Sequence, residues 1–205
     1  CNQLKRVEIL NDSELQTIDK YAFFNSAIQS FIVPPHLTRI CENSFNSCKN
    51  MKQFEIPLNS ELRTIEKCAF SKSSIECLFI PSSLVDLQEG WCNDCDKLNK
   101  IFVSPNNPRY TLFDGKFIIG KSSIENENYD VLVFCVRNIK KVTIPSFIKH
   151  IGPYSFEGCK NLENVEFFDG SRLLTIEKYA FHDSGVKKIS KIPSNLSYIG
   201  ENAFR

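Results

Sequence analysis

The sequence predicts a solenoid of short repeats with a parallel β-sheet along one side, and three observations lead to this prediction. A pattern of the form I-x-x-x-[A/S]-F, or a close variant of it, occurs seven times in the 205 residues. A second pattern, L-x-x-[I/V/F/L]-x-[I/V/F], occurs eight times between and around those copies. Apart from one interruption, both patterns return every 22 to 25 residues. Such self-similarity is typical of repeat proteins in which each repeat packs on its neighbours.

The second pattern predicts the strands of the sheet. Its last three positions alternate between apolar and variable residues, as in a half-buried strand. A strand this short cannot bury one face alone, so we expect successive copies to stack into a parallel sheet on the concave side of the solenoid. Proline often follows the strand, as at Pro34, Pro81, Pro145 and Pro193.

The first pattern, which we call the anchor segment, predicts the opposite side of each repeat. Its copies span residues 18–23, 40–45, 65–70, 87–92, 151–156, 176–181 and 199–204. We expect these segments to be short and irregular or helical on the convex side. Their aromatic residues should be structural anchors that fill the core opposite the sheet. These anchors are Phe23, Phe45, Phe70, Phe156, Phe181 and Phe204.

One segment, residues 104–138, interrupts the repeats. Asp114-Gly115 is a turn signal between two apolar runs and predicts an inserted β-hairpin. The domain prediction is therefore one continuous solenoid from a longer protein, with repeats at 1–103, the hairpin at 104–138 and repeats at 139–205. Two interpretations of the insert remain open: it tightens the stack, or it protrudes and contacts a partner.

Nine cysteines raise the question of a metal or disulfide site. Cys1, Cys48 and Cys95 are each 47 residues apart, which indicates a unit of two repeats. Stacked strands lie about 4.8 Å apart, so cysteines in alternate repeats are about 9.6 Å apart, too far for a disulfide. We therefore expect mostly buried thiols. Cys92-x-x-Cys95 resembles half a zinc or redox motif, but no second CxxC accompanies it.

Composition narrows the function further. The 25 basic and 24 acidic residues give a net charge of +1, which does not favour nucleic-acid binding. No apolar run approaches the length of a membrane span. No phosphate loop, GxSxG or HExxH motif occurs, so we expect neither catalysis nor a cofactor.

The repeats resemble one particular family. The segments 144–159 and 192–204 follow the style I-P-S-x-L-x-x-I-G-x-x-A-F-x-x-C, which is similar to BspA-like leucine-rich repeats. Asn107-Pro108-Arg109-Tyr110 fits the Asn-Pro-x-Tyr sequence near which members carry an inserted hairpin. The resemblance covers nearly the whole chain and implies a leucine-rich-repeat horseshoe. It also implies a surface antigen, displayed on the cell or secreted, that binds host or matrix proteins.

Two other functions remain open. The cysteines would suit a cytoplasmic leucine-rich-repeat scaffold or effector. Alternatively, the repeats could regulate an enzyme whose catalytic domain lies elsewhere in a longer protein.

The outward strand positions predict where a partner binds. Ile32, Glu55, Phe79, Lys100 and Phe102 form the hypothetical partner-binding patch, because exposed aromatic residues often anchor interfaces. The alternative is that the hairpin covers the two phenylalanines and makes them core. Two further sites, Asn11 and Asn195, are possible glycosylation acceptors because each begins an N-x-S triplet.

Overall fold

The computed structural model describes residues 2–10 and 12–205, and it divides the chain into two compact units. The first unit ends at Pro108, and the second is Arg109–Arg205. All regular secondary structure in the described residues is β. The strands of the first unit are β1 (Thr17–Ile18), β2 (Ser30–Ile32), β3 (Arg39–Ile40), β4 (Gln53–Glu55), β5 (Thr64–Ile65), β6 (Cys77–Ile80), β7 (Asp86–Leu87) and β8 (Lys100–Val103). Those of the second are β9 (Tyr110–Phe113), β10 (Phe117–Gly120), β11 (Val131–Cys135), β12 (Lys141–Ile144), β13 (His150–Ile151), β14 (Asn164–Phe167), β15 (Thr175–Ile176), β16 (Lys188–Ile189) and β17 (Tyr198–Ile199).

Each coil of the first unit contributes one strand to each of two parallel ladders. The long-strand ladder contains the pairs β2–β4 and β6–β8, and β4 lies beside β6. The anchor ladder has the order β1-β3-β5-β7 and begins each anchor segment. The predicted parallel stacking of the repeats is therefore confirmed, and a second, shorter ladder accompanies it.

The second unit repeats this arrangement around the insert. Its long-strand ladder is β12-β14-β16. Its other sheet has the order β17-β15-β13-β11-β10-β9, in which β11 pairs with β13 in parallel and with β10 antiparallel. The predicted hairpin is present as β9–β10, with its turn at Asp114-Gly115. All four residues of β10 are buried, so this strand of the insert belongs to the core of the unit.

The predicted helical segments on the convex side are wrong, since the described residues contain no helix. Instead, one left-handed residue lies within each anchor segment and a second follows six of the seven segments, with φ between 50° and 67°. One recurs three residues after the aliphatic anchor, and a second recurs four residues later. They are Tyr21, Asn43, Cys68, Gly90, Tyr154, Tyr179 and Asn202, then Asn25, Ser47, Lys72, Asp94, Gly158 and Asp183. A left-handed residue at every fourth position interrupts any right-handed helix.

The backbone hydrogen bonds explain why the coils accept this conformation. In and directly after the first anchor segment, the N–H groups of Tyr21, Phe23 and Asn25 donate to carbonyls of the next coil, at 3.3, 2.8 and 2.9 Å. The N–H groups between them close tight turns within the coil, for example Ala22 to Asp19 at 3.2 Å. The same pattern of bonds recurs in and directly after four other anchor segments, which begin at Ile40, Ile65, Ile151 and Ile176. Half of the donors therefore bind sideways, whereas a helix would direct all of them along its own axis.

The anchor phenylalanines form columns through the core of each unit. Phe45 stacks on Phe23 and Phe70, with ring centroids 5.0 and 5.6 Å apart. In the second unit Phe156 and Phe181 stack at 4.7 Å with ring planes 5° apart. Phe45, Phe70, Phe156 and Phe181 are buried. Phe23 is half-buried and Phe204 is 44% exposed, so the ends of the columns are less deeply packed.

An unexpected ion pair lies inside the second unit. Arg137 Nη2 is 3.8 Å from Glu157 Oε2, and both side chains are almost completely buried, at 2% and 3% exposure. The Arg137 guanidinium also lies over the Phe134 ring at 4.2 Å and donates to the Ser155 carbonyl at 3.2 Å. Several contacts together therefore satisfy a charge that would be costly to bury alone.

Phe156→Ala should lower the free energy of unfolding by about 3–5 kcal/mol, because it opens a cavity between Phe181, on which its ring stacks, and Phe117, which meets it edge-on. Phe204→Ala is the matched control: it removes the same side chain from a half-exposed position of the same column and should cost about 1 kcal/mol. Urea unfolding followed by circular dichroism measures both. Equal losses would contradict the assignment of Phe156 as an anchor.

Arg137→Met should destabilise the chain by about 3–5 kcal/mol, because the Glu157 carboxylate loses its buried cation. The double variant Arg137→Met/Glu157→Leu should recover much of that loss, since it removes both charges. Urea unfolding of the two variants and the parent chain tests this. A single variant as stable as the parent would show that the pair is not coupled.

Candidate functional site

The long-strand ladder of the first unit presents the predicted patch. Pairing places Ile32 opposite Glu55 and Phe79 opposite Phe102. The Glu76 N–H donates to the Lys52 carbonyl at 3.3 Å, just as the Asn99 N–H donates to the Glu76 carbonyl at 3.2 Å, and this register sets Glu55 opposite Phe79. Ile32, Glu55, Phe79 and Phe102 therefore form one row across four strands, which we call the outward row.

A second row flanks the outward row two residues earlier on the same strands. It contains Ser30, Gln53, Cys77 and Lys100. Residues between the two rows, such as Phe31 and Leu78, point into the core and are buried. All five residues predicted for partner binding thus lie on one face of one ladder.

The exposure of the outward row answers the question of whether the phenylalanines are core. Ile32 is 61% exposed and Phe102 is 55% exposed, while Phe79 is half-buried. Phe102 is therefore a surface residue. Three large apolar side chains on one strand face leave apolar area in contact with solvent, and such patches are characteristic of contact surfaces.

Two charged residues on this face, Glu55 and Lys100, lack a partner of opposite charge on the same face among the described residues. Glu55 and Lys100 are both exposed. Within residues 2–10 and 12–205, neither of them forms an ion pair. On the corresponding face of the second unit, by contrast, Lys141 Nζ lies 2.9 Å from Glu166 Oε1. The two charges of the first unit are thus available to a partner.

The second unit has a groove that sequence reasoning missed. It has a volume of about 740 Å³ and lies between the hairpin turn and β12. Phe113, Phe168 and Pro145 supply apolar walls, and Lys116 and Lys141 supply charge. Lys116 pairs with Asp114 at 2.8 Å, so its charge is balanced locally, as is that of Lys141. Phe168, at 57% exposure, falls outside both repeat patterns, and periodicity could not identify it.

Asn107 is a second residue whose role the patterns did not reveal. Its side-chain amide is buried and donates to the carbonyls of Pro81 and Leu84, at 2.6 and 2.8 Å. It therefore ties the start of the insert to the turn of an earlier coil. The Asn-Pro-x-Tyr sequence was the available signal, but it did not specify this contact.

The possible glycosylation sites have different outcomes. Asn11 lies outside the described residues. Asn195 is exposed in a turn, where its side-chain amide is 3.4 Å from the Ser171 carbonyl. Modification of either residue stays a prediction.

The eight described cysteines carry thiols, and Cys48 and Cys95 belong to a column that also contains serines. Cys48 Sγ donates to the Phe23 carbonyl at 3.1 Å and lies 3.4 Å from Ser26 Oγ. Cys95 makes the corresponding contacts with the Phe70 carbonyl, at 2.9 Å, and with Ser73 Oγ, at 3.6 Å. The column thus alternates Ser and Cys, which keeps successive cysteines two coils apart, as the 47-residue spacing predicted. Cys1 is not among the described residues.

Burial changes the acidity of these thiols. Loss of solvation raises the pKa of Cys48, and it does the same for Cys68 and Cys77, which are half-buried. Loss of solvation is the main cause that raises the pKa of Cys135 well above its usual value, and the neighbouring Cys159 raises it further. A raised pKa disfavours the thiolate, which is the nucleophile and the metal ligand. In the part of the chain that the structure describes, no three His, Cys, Asp or Glu residues cluster as a metal site would require.

Over residues 2–10 and 12–205, no helix is long and apolar enough to cross a bilayer.

Comparison with known proteins points to one family and one fold. The family model for the BspA type leucine rich repeat region matches residues 16–131 and 122–205, with six copies. No curated protein is a significant match to the sequence.

Among solved structures, the pneumococcal vaccine antigen PcpA is similar, with a TM-score of 0.80 and 22% identity over 93% of this chain and 51% of its own. A leucine-rich repeat protein from Eubacterium ventriosum has a TM-score of 0.72 and 22% identity, over 92% of this chain and 54% of its own. A leucine rich cell surface protein from Faecalibacterium prausnitzii has a TM-score of 0.65 and 17% identity, over 98% and 74%. At these identities the likeness shows the fold alone. The chain spans about half the length of the first two.

Thiol labelling should follow burial. At pH 8 iodoacetamide should modify the half-buried Cys68 and Cys77 first, while buried Cys48, Cys95, Cys135 and Cys159 react only after urea is added. Because burial raises the pKa of Cys68 and Cys77, their rates should keep rising as the pH passes the usual thiol value of about 8.5. Peptide mapping by mass spectrometry measures each site, with the urea-unfolded chain as control. Early labelling of Cys48 or Cys95 would contradict their place in the buried column.

Proposed function

Because the chain belongs to the BspA-type leucine-rich repeat family, we propose that it is a non-enzymatic protein-interaction module that binds its partner through the long-strand ladder of the first unit. The partner contacts are Ile32, Glu55, Phe79, Lys100 and Phe102. A repeat fold suits this role, since stacked strands offer an extended surface whose outward residues vary without disturbing the core.

The exposure of Phe102 carries the proposal. A phenylalanine that is 55% exposed contributes little to the core, and it lies opposite another Phe and in one row with Ile32. Aromatic residues are enriched among the side chains that supply most of the binding energy at protein interfaces. Glu55 and Lys100 add charges that set orientation and specificity more than affinity.

The setting we propose is the cell surface or the extracellular space. One similar structure is described as a cell surface protein and another as a vaccine antigen, and both share this fold. The finer proposal is that the chain is an adhesin or antigen and that its partner is a host or matrix protein.

A cytoplasmic scaffold is the second candidate, and the cysteines favour it. Eight cysteines carry thiols in the described chain, and long-lived disulfides are characteristic of oxidising compartments. Antibody labelling of intact against permeabilised cells separates the two settings. Signal only after permeabilisation would overturn the surface assignment.

Replacing the two phenylalanines of the outward row tests the binding role. Phe79→Ser/Phe102→Ser should weaken capture on a panel of immobilised matrix proteins and intact host cells by about 10- to 100-fold, because buried interface aromatics are often worth 2 kcal/mol or more. The matched control is Phe24→Ser/Phe168→Ser, which removes two exposed phenylalanines from other positions.

Folding and binding can be separated in this experiment. Both double variants should keep the parent's circular dichroism and unfold cooperatively, and the half-buried Phe79 should cost less than the about 3–5 kcal/mol of a core Phe. Unchanged capture by Phe79→Ser/Phe102→Ser would overturn the assignment of this face. So would an equal loss of capture in the control.

A further inference from the structure

The outward row has a spacing that a partner must match. Its four residues lie on four neighbouring strands, and strands in a sheet are about 4.7–4.9 Å apart. Ile32 and Phe102, at the two ends, are therefore separated by three intervals, or about 14–15 Å. A partner element that contacts the whole row must run across the strands and place a side chain at each interval.

An extended segment does not match this spacing. Side chains on one face of a β-strand recur about every 6.6 Å, so three steps cover about 20 Å and miss the end of the row by about 5 Å. A strand lying along one coil would contact only the two outward positions of that coil and would leave the remainder of the row exposed.

An α-helix matches it closely. One turn advances 5.4 Å, so three turns cover about 16 Å and differ from the row by less than about 2 Å. Side chains at positions i, i+4, i+7 and i+11 lie along one stripe of a helix. Such a stripe can contact Ile32, Glu55, Phe79 and Phe102 in that order.

Charge specifies the stripe further. Glu55 lies between Ile32 and Phe79, is exposed, and forms no ion pair in the described residues. A partner that covered it with an apolar group would bury a carboxylate without a counter-charge, which is costly. Lys100 is also exposed and lies beside Phe102 in the flanking row. The complementary stripe therefore has a cation opposite Glu55 and an acidic residue on the flank near Lys100.

We propose that the outward row binds an amphipathic α-helix of a partner protein, lying across β2, β4, β6 and β8. The helix carries apolar residues at i, i+7 and i+11, Arg or Lys at i+4, and an acidic residue beside its last apolar position. This inference rests on the proposed function and names the partner's structural class.

Synthetic peptides test the proposal on the whole chain. The first probe is a side-chain-stapled helix about four turns long with leucine at i, i+7 and i+11, arginine at i+4 and glutamate at i+10. The second has the same composition with the leucines at alternate positions, the pattern of a strand. Fluorescence anisotropy measures binding. The helical probe should bind the parent chain at least tenfold more tightly than the alternating probe does. It should bind Phe79→Ser/Phe102→Ser at least tenfold more weakly than it binds the parent chain.

A charge exchange tests the register. Glu55→Arg should weaken binding of the helical probe about tenfold. A probe with glutamate in place of its arginine should bind Glu55→Arg within about threefold of the original pair, and should bind the parent chain poorly. Lys188→Glu, a charge reversal on the long-strand ladder of the second unit, is the matched control and should leave binding unchanged.

The outcomes separate this inference from the proposed function. If the alternating probe binds as tightly as the helical one, and both lose affinity on Phe79→Ser/Phe102→Ser, the row is a binding face but the helix is overturned. If the helical probe does not bind, or binds without any effect of Glu55→Arg, the inference is overturned. Capture of matrix proteins by the same variants then decides independently whether the face binds a partner.

Discussion

In each unit the coils are joined by backbone groups that bond to the next coil rather than within their own. Phe45 N–H donates to the Ala69 carbonyl at 2.8 Å, and Phe156 N–H donates to the Ala180 carbonyl at 2.7 Å. These bonds hold corresponding residues of successive coils at the spacing of neighbouring strands, about 4.8 Å. Every side chain therefore has, as its nearest neighbours, the residues at the same position of the adjacent coils. A sequence compatible with this fold must be complementary to itself along the stack.

The core and the surface meet this constraint in different ways. Phenylalanine rings at one position can stack, and Phe156 and Phe181 do so with nearly parallel planes. Charges of one sign cannot, and the coils of the first unit alternate Lys20, Glu42, Lys67 and Glu89 at one position. Lys20 lies 3.2 Å from Glu42, and Lys67 lies 2.7 Å from Glu89. The hydrogen bond and charge of each glutamate raise the pKa of its lysine partner.

Exposed ion pairs of this kind contribute little stability. Their alternation matters because four like charges at 4.8 Å would repel. The Ser–Cys column alternates as well. In it, a thiol that donates to a carbonyl can accept a hydrogen bond from the hydroxyl of the adjacent serine. Both columns repeat after two coils, and this gives the 47-residue period a physical cause.

The sequence predicted those parts of the fold that depend on the spacing of apolar residues. The strands, the anchor phenylalanines and the outward direction of Phe79 and Phe102 all follow from periodicity. The anchor segments did not, because left-handed conformations are signalled by Gly, Asn and Asp, whereas Tyr21, Tyr154 and Tyr179 occupy three of the seven first left-handed positions. Each costs about 1–2 kcal/mol, which the bonds to the next coil offset. Arg137 was missed for a related reason: its partners are set by three-dimensional packing, not by period.

The outward row departs from the rule of self-complementarity. On the second unit's strand face the charges are matched within the stack, since Lys141 reaches diagonally to Glu166 on the adjacent strand and forms an ion pair. On the first unit's face a carboxylate, Glu55, lies between Ile32 and Phe79, and neither neighbour can bond to it. Burial in the core does not account for Ile32, whose side chain is 61% exposed, or for Glu55 between two apolar neighbours. The proposed partner surface would supply the complementarity that this row lacks within its own stack.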